Sequence, residues 1–148
     1  MALFLVSAWV MLLDQVSKSV VGRLVPMYGT VDCLGGLLRI THVRNSGAAF
    51  GVLQGRQPLL IGAALVAAAV VVVSYPRVSF SNWSARFGLG LGLGGAVGNL
   101  IDRLRFGSVV DFLEVGPWPV FNLADTAIVV GVALILVGMM RSPGRKEE

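Results

Sequence analysis

Two aspartates stand where charge is costly. Asp111 and Asp125 lie in VVDFLEVGPWPVFNLADTAIVV, residues 109–130, a segment that is otherwise almost wholly apolar. Carboxylates beside hydrocarbon are expensive, and an ionisable group kept there marks a functional site. The two are fourteen positions apart, and Gly116, Pro117 and Pro119 between them favour a turn that would let them meet. Two carboxyls in contact cannot both ionise cheaply, so one keeps a proton while the other is charged. Such a pair offers an acid and a base together, the requirement for activating water and protonating an amide carbonyl. The same spacing also fits a plainer arrangement, with Asp125 capping its helix and Asp111 solvated.

Other hydrolytic chemistries are poorly supplied. His42 is the single histidine and no H-E-x-x-H run occurs, so a metal centre lacks ligands and no cofactor is expected. Nothing in the sequence orients a Cys33–His42 nucleophile pair. Ser17 and Lys18 are helix neighbours and point apart, which argues against a Ser–Lys dyad. Asp14 and Lys18 are four residues apart and share a helix face, the spacing of an intramembrane ion pair that locks a helix into a bundle. Asn99, Asp102 and Arg103 likewise share one face, suited equally to interlocking and to substrate contact.

The elements that must position these residues are apolar helices. Of 148 residues, 55% are hydrophobic and only 14% charged, against about a quarter charged in soluble domains. A spanning helix needs about 20 mostly apolar residues, and residues 2–24, 58–75, 85–104 and 124–140 qualify. The expected fold is therefore an all-α membrane protein, a four-transmembrane-helix bundle forming one domain over residues 1–148. The first segment lacks a basic start and a small-x-small cleavage site, so it reads as a retained helix rather than a signal peptide. The net charge of +4 is scattered with no aromatic interleaving, which excludes a nucleic-acid surface. The lone Cys33 excludes an internal disulfide.

The connections are unequal. Residues 76–86 form a short polar linker. The stretch 25–57 contains LLRITHVRN, whose β-branched residues suggest a strand, amid glycines that mark turns. A small extracytoplasmic β-element is expected there, between the first two helices, on the same side as the 105–123 loop carrying Asp111. Basic residues divide almost evenly between the two sides, but their density in the 76–86 linker and the RSPGRKEE tail favours both termini in the cytoplasm. In FGLGLGLGGAVGNLIDRL, Gly88, Gly90, Gly92, Gly94 and Gly98 create small-xxx-small spacings for close helix approach. The G-x-G-x-x-G letters within it have no βαβ context and carry no dinucleotide meaning.

DQVSK (14–18), NSGAAFG (45–51), GGAVGNLIDR (94–103), VVDF (109–112) and FNLAD (121–125) together resemble, in order and over nearly the whole chain, the successive boxes of the lipoprotein signal peptidases, type II. The resemblance implies an aspartyl endopeptidase of the bacterial cytoplasmic (inner) membrane. Such an enzyme removes signal peptides from prolipoproteins, cutting before a cysteine modified with diacylglycerol. It maps the catalytic dyad onto Asp111 and Asp125, and the other polar active-site positions onto Asn45, Asn99, Arg103 and Asn122. Asp14, Lys18 and Asp102 match boxes too and are expected to support the fold. The family also places both termini in the cytoplasm and the site at the outer face. The rival reading is a small transporter or channel relaying protons or cations through Asp14, Asp102 and Asp125, although no internal repeat of the kind common in transporters is detectable.

Overall fold

The structure, a computed structural model, describes residues 2–47, 53–79 and 82–141. Residues 48–51 of the NSGAAFG box, residues 80 and 81 of the linker and the tail from 142 onward lie outside them. Four long helices and three strands follow in the order α1 (Ala2–Leu24), β1 (Thr30–Cys33), β2 (Leu38–Asn45), α2 (Gln57–Ser74), α3 (Trp83–Phe106), β3 (Val109–Glu114) and α4 (Leu123–Arg141). A 3-10 turn at Leu34–Gly36 joins the first two strands, and another at Tyr75–Arg77 follows α2.

Among the described residues, three helical stretches are long and apolar enough to cross a membrane: Ala2–Leu24, Gln57–Arg77 and Leu123–Arg141. The third helix differs in composition, with its glycines and with Arg86, Asp102, Arg103 and Arg105, and it is the most enclosed. It packs against all three of the others, while α2 buries no residue at all. Large side chains such as Phe4, Trp9, Val66, Val70, Val129 and Leu136 stay exposed on the outer helices, a surface suited to lipid rather than water.

The glycines of α3 bring the neighbouring backbones close. A Cβ on Gly94 would lie 2.7 Å from Ser7 O on α1, and one on Gly88 would lie 2.5 Å from Gly131 O on α4. Gly90 and Gly98 are equally crowded by α1, whereas a Cβ on Gly92 would meet nothing within 4 Å. Between α1 and α3, Ser7 Oγ donates to Gly90 O at 3.0 Å. Gly107, at φ 65°, ends α3 in the left-handed region and returns its N–H to Arg103 O, which turns the chain directly into β3.

The sheet corrects one expectation. Asp111 lies in a strand, β3, and not in a loop, and the β-element is completed by chain from between α3 and α4. The strands run antiparallel in the order β1-β2-β3. Thr30 pairs with Thr41 across the first hairpin, and their hydroxyls lie 3.0 Å apart. In the second pair, Ile40 faces Leu113 and Val43 faces Asp111. Three steps along β2 thus match two along β3, and this bulge resets which face of β2 looks toward Asp111. Val21, Val25 and Phe112 form the apolar cluster beneath the sheet, with Ile40, Leu113 and Leu123 against it. Burying a ring such as that of Phe112 contributes about 2 kcal/mol.

Candidate active site

The sheet register sets the first contact of the site. Asn45 faces Val109 and Val43 faces Asp111, so Asn45 and Asp111 are diagonal neighbours on one face. Asn45 Nδ2 donates to Asp111 Oδ2 at 2.9 Å. A cavity of about 260 Å³ opens beside this contact, lined by Asn45, Ser46, Asp111 and Pro119 among others.

The segment after β3 turns back at Gly116, whose φ is 52°. It is clamped to β3 by Phe121 N–H to Leu113 O at 3.0 Å and by Leu113 N–H to Phe121 O at 2.7 Å. This is the turn expected from the glycine and prolines, and it delivers Asn122 and Asp125 to Asp111. Asn122 caps α4. Its Oδ1 accepts from Asp125 N–H at 2.9 Å, and Asp125 Oδ2 accepts from Asn122 N–H at 3.2 Å, a reciprocal capping box. The same Asn122 donates through Nδ2 to Asp111 Oδ1 at 2.6 Å. One fully buried amide thus touches both aspartates.

Asn99 completes the surround. Its Nδ2 donates to Asp125 Oδ1 at 2.8 Å, and its Oδ1 accepts from Lys18 Nζ at 2.9 Å. An ammonium can only donate, so Lys18 fixes which way the Asn99 amide faces. Arg103 Nη2 donates to Gly47 O at 3.2 Å, and the Arg103 charge interacts with both Asp125 and Asp111. Its Nε is buried with no partner among the described residues.

Asp111 is 2% exposed. Burial pushes its carboxyl up from 3.8 to about 6, and the nearby charge of Asp125 pushes the same way. Hydrogen bonds from Asn45 and Asn122 and the charge of Lys18 pull back without cancelling that rise. Asp111 is therefore a carboxyl that holds its proton up to about pH 6, with Asp125 near it and an opening beside it. That arrangement can both take and give a proton at an amide bond.

Behind the pair, Lys18 Nζ lies 2.8 Å from Asp14 Oδ2 and 3.0 Å from Asp102 Oδ2, so three buried charges tie α1 to α3. Asp14 Oδ1 also accepts from Ala124 N–H at 3.0 Å, and Asp102 Oδ2 accepts from Val110 N–H at 3.1 Å. The cluster thus anchors the start of α4 and the start of β3, one on each side of the aspartates. All nine residues singled out in the sequence fall in this one network. Gln15 was missed: its Nε2 donates to Asp102 Oδ1 at 2.9 Å and Gly98 O at 3.1 Å. Its position between Asp14 and Lys18 in an apolar helix was the available signal. No group of three or more His, Cys, Asp or Glu side chains placed to hold a metal occurs among the described residues.

The chain is similar to known proteins along nearly its whole length. The chain is 40% identical to the lipoprotein signal peptidase of Geobacter metallireducens over 97% of this chain and 93% of that protein. It is 42% identical to that of Geobacter sulfurreducens over 92% and 89%. Among solved structures, a bacterial membrane enzyme determined by the in meso method at 2.3 Å resolution matches with a TM-score of 0.90 at 28% identity, covering 99% of this chain and 93% of that one. The profile of signal peptidase (SPase) II spans residues 6–141, and with that the chain belongs to the signal peptidase II family.

Proposed function

We propose that this protein removes signal peptides from prolipoproteins with Asp111 and Asp125 as an aspartic catalytic pair. The observation that carries the reading is Asn122, which donates to Asp111 from its side chain and to Asp125 from its backbone. It holds the two carboxyls to a common reaction volume.

In this mechanism Asp125, charged, takes a proton from a water molecule as the water oxygen bonds to the scissile carbonyl carbon. Asp111 gives its proton to the carbonyl oxygen, forming a neutral tetrahedral diol. Collapse returns that proton to Asp111, the proton held by Asp125 passes to the departing amine nitrogen, and the C–N bond breaks. Both carboxyls end as they began. Asn45, Asn99, Arg103 and Asn122 orient the pair and the substrate, while Asp14, Lys18 and Asp102 hold the frame.

The substrate is itself anchored in the membrane, with the cut made just before a diacylglyceryl-modified cysteine, which explains carboxylates kept beside hydrocarbon. All four helices cross the bacterial cytoplasmic membrane, both termini are cytoplasmic, and the site faces outward. The less apolar α3 crosses enclosed by α1, α2 and α4. Membership of the peptidase family decides against a transporter or channel.

The test is incubation of the purified full chain with a diacylglyceryl-modified prolipoprotein, read by gel shift. Asp111→Asn and Asp125→Asn each abolish processing, and the double variant is barely worse than either, because the two act as a unit. A chelator leaves the rate unchanged. Near wild-type processing by either single variant, or chelator loss restored by zinc, refutes the pair.

A further inference from the structure

A second cavity, of about 250 Å³, lies behind the sheet between α1 and α3. Its lining includes Lys18, His42, Arg44, Asp102, Arg105 and Phe106, a strongly cationic set. Lys18 and Asp102 are already joined to each other, and His42 Nδ1 donates to Val25 O at 2.9 Å. The two arginines at the mouth are different. The Arg44 guanidinium carbon lies 4.6 Å from the Phe106 ring centroid and that of Arg105 lies 5.2 Å from the same centroid. Neither has an acidic partner among the described residues, and the one side-chain bond at Arg44 is a long contact of 3.5 Å to Ser108 Oγ. By contrast Arg39, on the same strand as Arg44, is paired with Glu114.

Two guanidiniums gathered against one ring repel each other unless an anion joins them. The planar fork of arginine matches phosphate oxygens two at a time. The mouth opens where α1 and α3 end beside the sheet. On α1 below it, Leu12 is three residues before Gln15 and seven before Ser19 of the lining, so it shares their face, and it is about half exposed, at 49%. At the mouth itself Ser19 and Gly22 leave a slot with no large side chain, and a Cβ on Gly22 would touch only His42 Cε1, at 3.8 Å. An exposed apolar side chain therefore lies below a cationic pocket, the arrangement by which basic pockets between membrane helices take lipid headgroups.

We propose that this cavity binds an anionic phospholipid of the leaflet next to the sheet, its phosphodiester between Arg44 and Arg105 and its acyl chain along Leu12 of α1. The proposal rests on the membrane reading of α1 and not on the peptidase assignment. Arg44 faces Val110 across the sheet and immediately precedes Asn45, so a bound headgroup braces the strand that carries a partner of Asp111.

The test uses delipidated full-length protein in detergent, titrated and read by native mass spectrometry. Phosphatidylglycerol binds saturably. Diacylglycerol, which has the chains without the phosphate, and inorganic phosphate, which lacks the chains, bind far more weakly. Arg44→Gln/Arg105→Gln weakens phosphatidylglycerol binding about tenfold or more, and the single Arg105→Gln, on an exposed side chain at the end of α3, gives part of that loss. The proposal is overturned if the double variant retains the lipid like wild type, or if diacylglycerol binds as well as phosphatidylglycerol. It is also overturned if inorganic phosphate binds as well as the lipid.

Discussion

Asp111→Asn separates stability from catalysis in a way that only a buried, charge-penalised carboxyl allows. The folded protein holds the Asp111 proton up to about 6, against 3.8 for the free group. Folding therefore favours the protonated form, so this stability is fully present below 3.8 and is lost as pH rises through about 6. At about 1.4 kcal/mol for each pH unit, the interval amounts to about 3 kcal/mol. The side chain is 2% exposed, so solvent screening takes little from that figure. An amide of the same shape escapes this penalty. At pH 4 the native carboxyl is itself protonated and faces the same two donors, Asn45 Nδ2 and Asn122 Nδ2. Variant and wild type should then differ by no more than about 1 kcal/mol, the size of one neutral hydrogen bond. At pH 8 the variant should be the more stable by about 2–3 kcal/mol. At about 2–4 °C for each kcal/mol, its melting temperature relative to wild type rises by about 4–12 °C between the two pH values. The assay is thermal unfolding of the detergent-solubilised proteins at pH 4 and pH 8. Titrations of groups that do not interact with Asp111 cancel because only the difference between the two proteins is used. A variant less stable than wild type by the same amount at both pH values would refute the reasoning, because burial would then exact nothing from the charge.

Asp14→Ala strands the Lys18 ammonium between one remaining carboxylate and Asn99 and removes the acceptor of Ala124 N–H. Breaking a buried pair costs about 3–5 kcal/mol, so folded yield in membranes should fall sharply; a fully stable but inactive variant would move Asp14 into the chemistry. Gly98→Ala puts a Cβ 2.7 Å from Asp14 Oδ2 and should cost about 1–3 kcal/mol, whereas Gly92→Ala, with nothing within 4 Å, should be neutral or mildly stabilising. Equal melting temperatures for the two glycine variants would show that α1 does not press on α3 there.

The helices were legible because uninterrupted apolar runs leave few alternatives: the expected 58–75 and 124–140 are observed as Gln57–Ser74 and Leu123–Arg141. The glycine face of α3 was legible as a packing surface for the same local reason. The strand around Asp111 was not, although VVDFLE is rich in strand formers. Its partner, Asn45, is 66 positions away, and pairing over that distance leaves no periodicity in either segment. The carboxylate itself misled, since a charge suggests a solvated loop and only the surrounding Asn45 and Asn122 make a buried one tolerable. Whether Asp125 caps its helix or faces Asp111 also looked like a choice from spacing. In the structure Asn122 takes one oxygen in the capping bond and Asn99 takes the other, while the Asp125 charge still acts on Asp111.

The bond from Ala124 N–H to Asp14 joins positions 110 apart in sequence, which bears on how such a chain is made. In the membrane arrangement proposed above, the first helix enters the bilayer long before α4 exists, with Asp14 lacking its backbone partner. Lys18 one turn later acts as a built-in counter-ion, so the helix crosses as a nearly neutral pair rather than as a bare carboxylate. Emergence of α4 then completes Asp14 and delivers Asn122 and Asp125 to Asp111 in one event. A nascent chain stopped short of α4 holds neither the cap nor the second carboxyl, so the proposed protease stays inert throughout its own synthesis and becomes active only on completion.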